Sequence, residues 1–139
     1  MKGYLIDTNV LSELRRPKRS PSVVAWFSSV SPDDLYLSVL TLGELRQGIE
    51  SMRRKDPAAA NALERWFNGI CADFSEKLLP VDVAIAERWG RLSHQQPIPS
   101  IDGLLAATAA VHDLTIVTRN IADFERSGVP FMNPFEFSS

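Results

Sequence analysis

Short apolar runs alternate with segments of helical periodicity along almost the whole chain, and this alternation is the feature that most limits the possible folds. Strands that alternate with helices are joined by right-handed crossovers, so the strands are parallel and the helices cover both faces of the sheet. The pattern therefore predicts a three-layer α/β/α domain with a central, mostly parallel sheet. The strands are predicted at residues 5–6, 35–39, 78–81, 115–118 and 129–132.

Capping signals mark the ends of several predicted helices. Asp56 followed by Pro57 is typical of a helix start, because aspartate accepts from free first-turn amides and proline fits the first helical position. Ser100 is expected to cap a nearly all-apolar helix. The helix after Pro21 is expected to bury Val23, Val24 and Phe27, with Trp26 as a further candidate. Helices are predicted at residues 9–14, 21–30, 42–55, 57–74, 85–92, 100–111 and 121–126.

Length and composition fit one domain over residues 1–139, since 45% hydrophobic residues are enough for a core. The formal net charge of -2 gives no overall attraction for a polyanion, so any nucleic-acid contact must use a local basic patch or bound cations. The single Cys71 and the lack of a secretory pattern favour a cytoplasmic location. We expect no membrane association, because no apolar segment approaches the ~20 residues that span a bilayer.

Three acidic residues stand where a parallel sheet places functional groups. Asp7 directly follows the first strand, and sites in open parallel sheets form outside the carboxyl ends of strands. Glu44 lies at the margin of the buried stripe of its helix, and Asp102 lies in the first turn of a mostly apolar helix. Each also has an ordinary explanation, since Asp7 can cap a helix, Glu44 can face solvent and Asp102 can favour the helix dipole.

A fourth polar segment, residues 118–124, follows another predicted strand. Its candidates are Asp123, which can equally be a first-turn helix acid, and Asn120, which can be an N-cap. The predicted topology brings this segment and the three acids to one edge of the sheet, where carboxylates repel one another unless a cation lies between them. Mg²⁺ and Mn²⁺ prefer such oxygen ligands and can activate water for phosphodiester cleavage. The sequence therefore predicts a hard divalent cation at this edge.

Together, these motifs resemble those of the PIN-domain ribonucleases, and more narrowly the VapC-type toxins of bacterial toxin-antitoxin pairs. The tail Asn133-Pro134-Phe135-Glu136 is similar to the FitB branch. The resemblance spans essentially the whole chain, and each motif is short. The motifs are Asp7-Thr8-Asn9, the helical segment 44–49, Asp102 within 100–109, and Thr118-Arg119-Asn120 with Asp123-Phe124.

The resemblance implies a Mg²⁺- or Mn²⁺-dependent endoribonuclease that hydrolyses RNA, forms a homodimer and is inhibited by a cognate antitoxin. It implies operator DNA as a partner through the antitoxin complex. Many members carry an acid at the position of Asn120, so Asp123 is the expected substitute. Whether one metal ion binds or two is left open. The implied catalytic and metal-binding residues are Asp7, Glu44, Asp102 and Asp123, supported by the polar residues Thr8, Asn9, Thr118 and Asn120.

RNA contact in an acidic protein must be local. Candidates for phosphate binding are Arg15, Arg16, Lys18, Arg19 and Arg46, although charge runs are also typical of solvated loops. The aromatic residues of two helices stand at helical spacing among aliphatic neighbours, so we expect core or dimer contacts rather than base stacking. These residues are Trp26, Phe27, Trp66 and Phe67.

Two other functions stay open on the sequence alone. The chain could be a non-catalytic subunit of an antitoxin complex that binds its operator DNA. It could also be a phosphoacceptor signalling domain, with Asp82 as the modified residue. Against the second, the first strand ends in one acid rather than an adjacent pair, no lysine follows the last strand, and Glu44 and Asp102 would have no role.

Overall fold

Five short strands form one sheet in the computed structural model, which describes residues 3–138. Their order is β3-β2-β1-β4-β5, and every pairing is parallel. The predicted three-layer α/β/α fold is therefore confirmed. The strands are Tyr4–Ile6 (β1), Leu35–Ser38 (β2), Leu78–Leu79 (β3), Thr115–Val117 (β4) and Phe131–Met132 (β5).

Seven α-helices connect the strands within residues 3–138, and short 3-10 turns follow or precede some of them. Asp56 accepts from the backbone amide of Ala59 at 3.1 Å, which confirms the predicted helix start there. No helix in this range is long and apolar enough to cross a membrane. The helices are Thr8–Glu13 (α1), Pro21–Ser29 (α2), Val39–Lys55 (α3), Pro57–Asp73 (α4), Val83–Gln95 (α5), Ser100–His112 (α6) and Ile121–Phe124 (α7).

The core lies on both faces of the sheet because side chains alternate along a strand. Ile6 and Val117, which are register partners, belong to the cluster that α1, α2 and α3 cover. Leu5 and Ile116, the preceding partners, belong to the cluster that α6 and α7 cover. Each central strand therefore contributes to two apolar layers, one on each face of the sheet.

Two local predictions were wrong. On α2, Val23 and Trp26 are buried in the core, but Val24, which was expected there, is 38% exposed; the indole of Trp26 packs edge-on against Tyr4 of β1 at a ring distance of 5.1 Å. Ser100 does not cap α6 but is its first residue. The carbonyl of Pro99 already accepts from the amide of Gly103 at 2.8 Å, and no side chain caps this helix.

The last strand is confirmed as an edge strand, although it is shorter than predicted. Pro130 directly precedes it and has no amide proton to donate, but its carbonyl accepts from Ile116 at 2.9 Å. A proline is therefore tolerated beside the sheet at this position.

Candidate active site

The carboxyl ends of β1 and β4 lie side by side at the centre of the sheet, because Ile6 pairs with Val117. The next residue on each strand is polar: Asp7 after β1 and Thr118 after β4. Strand order also reverses here, since the chain runs from β1 to β2 on one side and later returns to β4 on the other. Such a reversal is where open α/β sheets form their binding crevice.

Asp7 is only 6% exposed and has partners for both carboxylate oxygens. Its Oδ1 accepts from the backbone amide of Thr8 at 2.8 Å, so Asp7 caps α1, which confirms the capping role that the sequence offered as an alternative. Its Oδ2 accepts from the hydroxyl of Thr118 at 2.8 Å and from Asn9 Nδ2 at 3.4 Å. Asp7 therefore both caps α1 and belongs to the central site.

The pKa of the Asp7 carboxyl is raised despite these hydrogen bonds, and burial is the main cause. The bonds from Thr118 and Thr8 lower the pKa, whereas the negative charges of Glu44 and Asp123 raise it. Because charges act on one another at short range, three predicted acids from three different parts of the chain, Asp7, Glu44 and Asp123, lie in one electrostatic neighbourhood.

Two threonine hydroxyls and one asparagine connect the elements of the site. The Thr8 hydroxyl donates to Glu44 Oε1 at 2.5 Å, which ties the start of α1 to α3. The Thr118 hydroxyl donates to Asp7 and accepts from the amide of Asn120 at 3.0 Å. The Asn9 side chain accepts from the amide of Arg119 at 3.2 Å, so it links the loops after β1 and β4.

Asp102 completes the group from the other layer, in the first turn of α6. Its side chain is half-buried, and its pKa is raised to about 7. Burial is the largest cause, followed by a hydrogen bond and charge repulsion from Asp123, and then by the charges of Asp7 and Glu44. Asp7, Glu44 and Asp123 therefore all act on Asp102.

Asp123 and Asn120, the two candidates for the fourth site residue, differ in their surroundings. Asp123 is half-buried on α7 and raises the pKa of both Asp7 and Asp102. Asn120 is exposed, and its side chain makes no capping hydrogen bond to α7, although its backbone amide donates to Thr118. Asp123 is thus the residue that shares the carboxylate neighbourhood.

The donor set matches a hard divalent cation in its chemistry, because all four ionisable side chains offer carboxylate oxygens. Within residues 3–138, however, no three acidic, histidine or cysteine side chains stand close enough to enclose a metal ion. The chemistry of the donors therefore fits a hard cation, while the side chains as they stand do not enclose one.

Asp82, the residue of the phosphoacceptor alternative, lies outside this group. It is exposed, follows the outermost strand β3, and accepts from the amide of Ile85 at 3.0 Å as the cap of α5. Strand β2 separates β3 from β1. Asp82 is therefore a helix cap that lies away from the four carboxylates.

The predicted basic residues fall into two different environments. Arg15, Arg16, Lys18 and Arg19 are exposed in the loop after α1. Arg46 is instead paired with Glu50 at 3.2 Å and Glu64 at 3.1 Å, and its guanidinium lies 4.9 Å from the centre of the Phe67 ring. These contacts join α3 to α4, so Arg46 has a structural role as part of an ion pair.

Sequence reasoning missed Glu13, which is 6% exposed and holds the basic loop in place. Its carboxylate accepts from the amide of Ser20 at 2.8 Å and from Arg16 at 3.2 Å, while Arg19 donates to the carbonyl of Leu14 at 2.6 Å. The signal was present, because Glu13 follows the buried Val10 by three positions and so falls on the inner face of α1.

The sequence also predicted no separate role for Arg119. Its guanidinium lies 4.3 Å from the ring centre of Phe135, within the C-terminal motif, and its amide is bound by Asn9. The tail motif is therefore attached directly beside the carboxyl end of β4.

The fold and the site define a class of small parallel α/β domains with acidic side chains at the central strand ends, and comparison with known proteins gives the family. The family model described as PIN domain matches residues 4–128. The chain belongs to the PIN-domain family, in the branch that includes FitB and the VapC proteins.

Three similar proteins illustrate this relationship. Toxin FitB of Neisseria gonorrhoeae is 36% identical over 94% of this chain and 97% of its own length. VapC ribonuclease Y4jK of Sinorhizobium fredii is 32% identical over 95% of this chain and 97% of its own. The solved structure of FitAB bound to an IR36 DNA fragment includes a chain with 32% identity and a TM-score of 0.84, and the match covers 98% of both chains.

Proposed function

We propose that this protein is a toxin of a toxin-antitoxin pair and acts as a metal-dependent endoribonuclease that hydrolyses RNA phosphodiester bonds. The observation that carries the proposal is the gathering of four carboxylates at one edge of the sheet, where burial first, and then Asp123, Asp7 and Glu44, raise the pKa of Asp102 to about 7. A fold gains no stability from acids that repel one another at one sheet edge, so a role in binding a cation explains their presence. A VapC relative named as a ribonuclease supports the substrate class.

The residues that would hold the ion are Asp7, Glu44, Asp102 and Asp123. When bound, Mg²⁺ or Mn²⁺ would neutralise the negative charge of the reacting phosphate and activate a water molecule. The chain's own contribution is orientation. Thr118 and Thr8 each donate a hydroxyl to a carboxylate, which fixes Asp7 and Glu44 in one rotamer. Asp102 has to lose its proton before it can bind a cation.

RNA would be held by the exposed cations of the basic loop after α1, which starts one helix away from Asp7. Arg15, Arg16, Lys18 and Arg19 would contact phosphates, and such contacts position RNA without reading its sequence. Arg46 contributes less, because two carboxylates already neutralise it.

A nuclease of this kind would act in the cytoplasm and needs an inhibitor in the cell that makes it. A cognate antitoxin is the expected partner, and the relative named toxin FitB supports this assignment. A homodimer and an indirect contact with operator DNA are further parts of the proposal, the second supported by the FitAB structure bound to a DNA fragment.

Cleavage of labelled RNA by the purified, antitoxin-free protein tests the proposal. We expect cleavage in Mg²⁺ or Mn²⁺, none in excess EDTA, and at least a ~100-fold loss in Asp7→Asn and Asp102→Asn. Asp33→Asn is the matched control, because Asp33 is an exposed acid whose side chain has no hydrogen-bond partner within residues 3–138. Circular dichroism checks that each variant is folded.

Two results would count against the nuclease. One is cleavage that persists in EDTA or in both site variants. The other is a folded protein that cleaves no RNA in either metal but assembles with its antitoxin on DNA, which would favour the non-catalytic alternative.

A further inference from the structure

Two adjoining cavities lead away from the carboxylates between α1, α3 and α4. The first has a volume of about 190 Å³ and begins at Thr8 and Glu44. Its far side is apolar and is formed by Ile49, Leu63 and Trp66. A cavity of this size is smaller than the usual site for a drug-sized ligand and suits a single planar ring.

The second cavity has a volume of about 520 Å³ and lies along the basic loop. Arg16 and Arg19 line it, and Ala62 of α4 forms part of the opposite side. Trp66 and Arg15 line both cavities, so the two spaces meet at these side chains. Glu44 therefore lines the first cavity together with Trp66 and Arg15, and the second cavity continues from these two side chains to Arg16 and Arg19.

The side chains at the junction are available for a ligand. Trp66 is half-buried, with one side packed against the core and the other on the cavities. Arg15 is exposed and makes no ion pair with any residue in the range 3–138. Arg46, on the same layer, is by contrast neutralised by Glu50 and Glu64.

We propose that this path binds single-stranded RNA, with one nucleobase stacked on Trp66 in the small cavity and the adjoining phosphates on Arg15, Arg16 and Arg19. The inference rests on the proposed function, since Glu44 at the start of the path places the scissile phosphate beside the stacked base. Aromatic rings next to a cationic groove are the usual means of holding single strands, because every base has a face that can stack. Trp66 therefore has a role beyond the core contact that its sequence position predicts.

Gly48 of α3 gives a way to fill the small cavity without disturbing the core. It lines that cavity, and a Cβ atom built on it meets no heavy atom within 4 Å. Gly48→Leu therefore adds a side chain to open space and also replaces a poor helix former by a good one. Gly90→Leu on α5 is the matched control, since a Cβ there is equally free and α5 lies on the other face of the sheet.

The test measures the fluorescence anisotropy of a labelled oligouridylate RNA in EDTA, where binding is observed without metal-dependent cleavage. Gly48→Leu and Trp66→Leu should each weaken binding by about 5- to 100-fold, the usual loss of one stacked base. Trp66→Phe keeps an aromatic face and should stay close to the wild-type affinity. Gly90→Leu should bind as the wild type does.

Equal affinity of Gly48→Leu and the wild-type protein for the oligouridylate would overturn the proposal. So would variants that bind RNA normally but are no longer inhibited by the purified antitoxin, because the path would then belong to a protein partner. Cleavage by the wild-type protein in Mg²⁺ is measured in parallel. If it cleaves while Gly48→Leu binds normally, only this inference fails; if it does not cleave but binding depends on Trp66, only the nuclease proposal fails.

Discussion

Replacing Asp102 by asparagine should stabilise the metal-free protein at alkaline pH. The pKa of this carboxyl is raised to about 7 in the folded chain, against an ordinary value of 3.8. An acid with a raised pKa contributes stability below its unfolded pKa and loses it as the pH rises through the folded pKa. At pH 8 the full loss applies and the ionised Asp102 opposes folding, whereas at pH 5 only part of the stability is lost, because the unfolded carboxyl is already ionised while the folded one still holds its proton.

The size of the effect follows from the same shift. One pKa unit corresponds to about 1.4 kcal/mol, but Asp102 is half exposed and solvent screens its interactions with the other acids. We therefore expect Asp102→Asn to raise the free energy of unfolding by only about 1–2 kcal/mol at pH 8, and by roughly a third of that amount at pH 5.

Urea unfolding in EDTA at both pH values measures these differences. Asp33→Asn should change stability by less than about 0.5 kcal/mol at either pH, because Asp33 is exposed. Added Mg²⁺ should stabilise the wild-type protein at pH 8 more than Asp102→Asn, since a ligand that binds only the folded state adds to its stability. The reasoning is refuted if Asp102→Asn is no more stable than wild type at pH 8, or gains equally at pH 5.

Three further substitutions test single contacts by urea unfolding. Thr118→Val removes the hydroxyl that donates to Asp7, so we expect a loss of about 1.5–3 kcal/mol that Thr118→Ser largely restores; an unchanged midpoint would contradict this. Gly103→Ala places a Cβ atom 3.0 Å from Trp89 Cδ1, so it should cost about 1–3 kcal/mol, and a neutral result would mean that the two helices separate freely. Glu13→Ala leaves the backbone amide of Ser20 unpaired, so it should lower the free energy of unfolding by about 1–3 kcal/mol and also weaken oligouridylate binding. Normal RNA affinity would show that the basic loop does not depend on Glu13.

At the acidic site, folding and the proposed binding of a cation make opposite demands. Burial and mutual repulsion raise the pKa of Asp7 and Asp102, and both effects oppose the ionised forms that a cation requires. The hydroxyl of Thr118 and the amide of Thr8 offset part of this at Asp7. The difference in free energy of unfolding between Asp102→Asn and the wild type therefore measures how far this carboxylate destabilises the metal-free protein. A bound cation would reduce that repulsion.

The carboxylate group also explains why short motifs distant in the sequence belong together. Asp7 and Thr118 are neighbours because β1 and β4 pair in register. Glu44 reaches them because it lies on the helix that directly follows β2, the other neighbour of β1. The parallel order of three strands is thus enough to bring three of the motifs to one edge of the sheet.

Much of the fold could be predicted from the sequence because its causes are local. The period of the apolar residues separates strands from helices, and Asp56 with Pro57 starts α4 through contacts within one turn. Asp7, Glu44 and Asp102 were identifiable because each stands at a strand end or on a sheltered helix position. Val24 and Ser100 were misjudged because the packing of Trp26 against Tyr4, which sets the inner face of α2, and the backbone bond from Gly103 to Pro99 depend on the folded arrangement.

Tertiary structure alone decided which polar residues share the site and which are neutralised elsewhere. Asp123 rather than Asn120 acts on the other acids because α7 directs one side chain to the group and leaves the other exposed. Arg46 is paired because α4 brings Glu64 to it, eighteen positions away in the chain. Sequence determines the local conformation of each segment, whereas electrostatic and packing partners are set by distances between segments, which exist only once the sheet has formed.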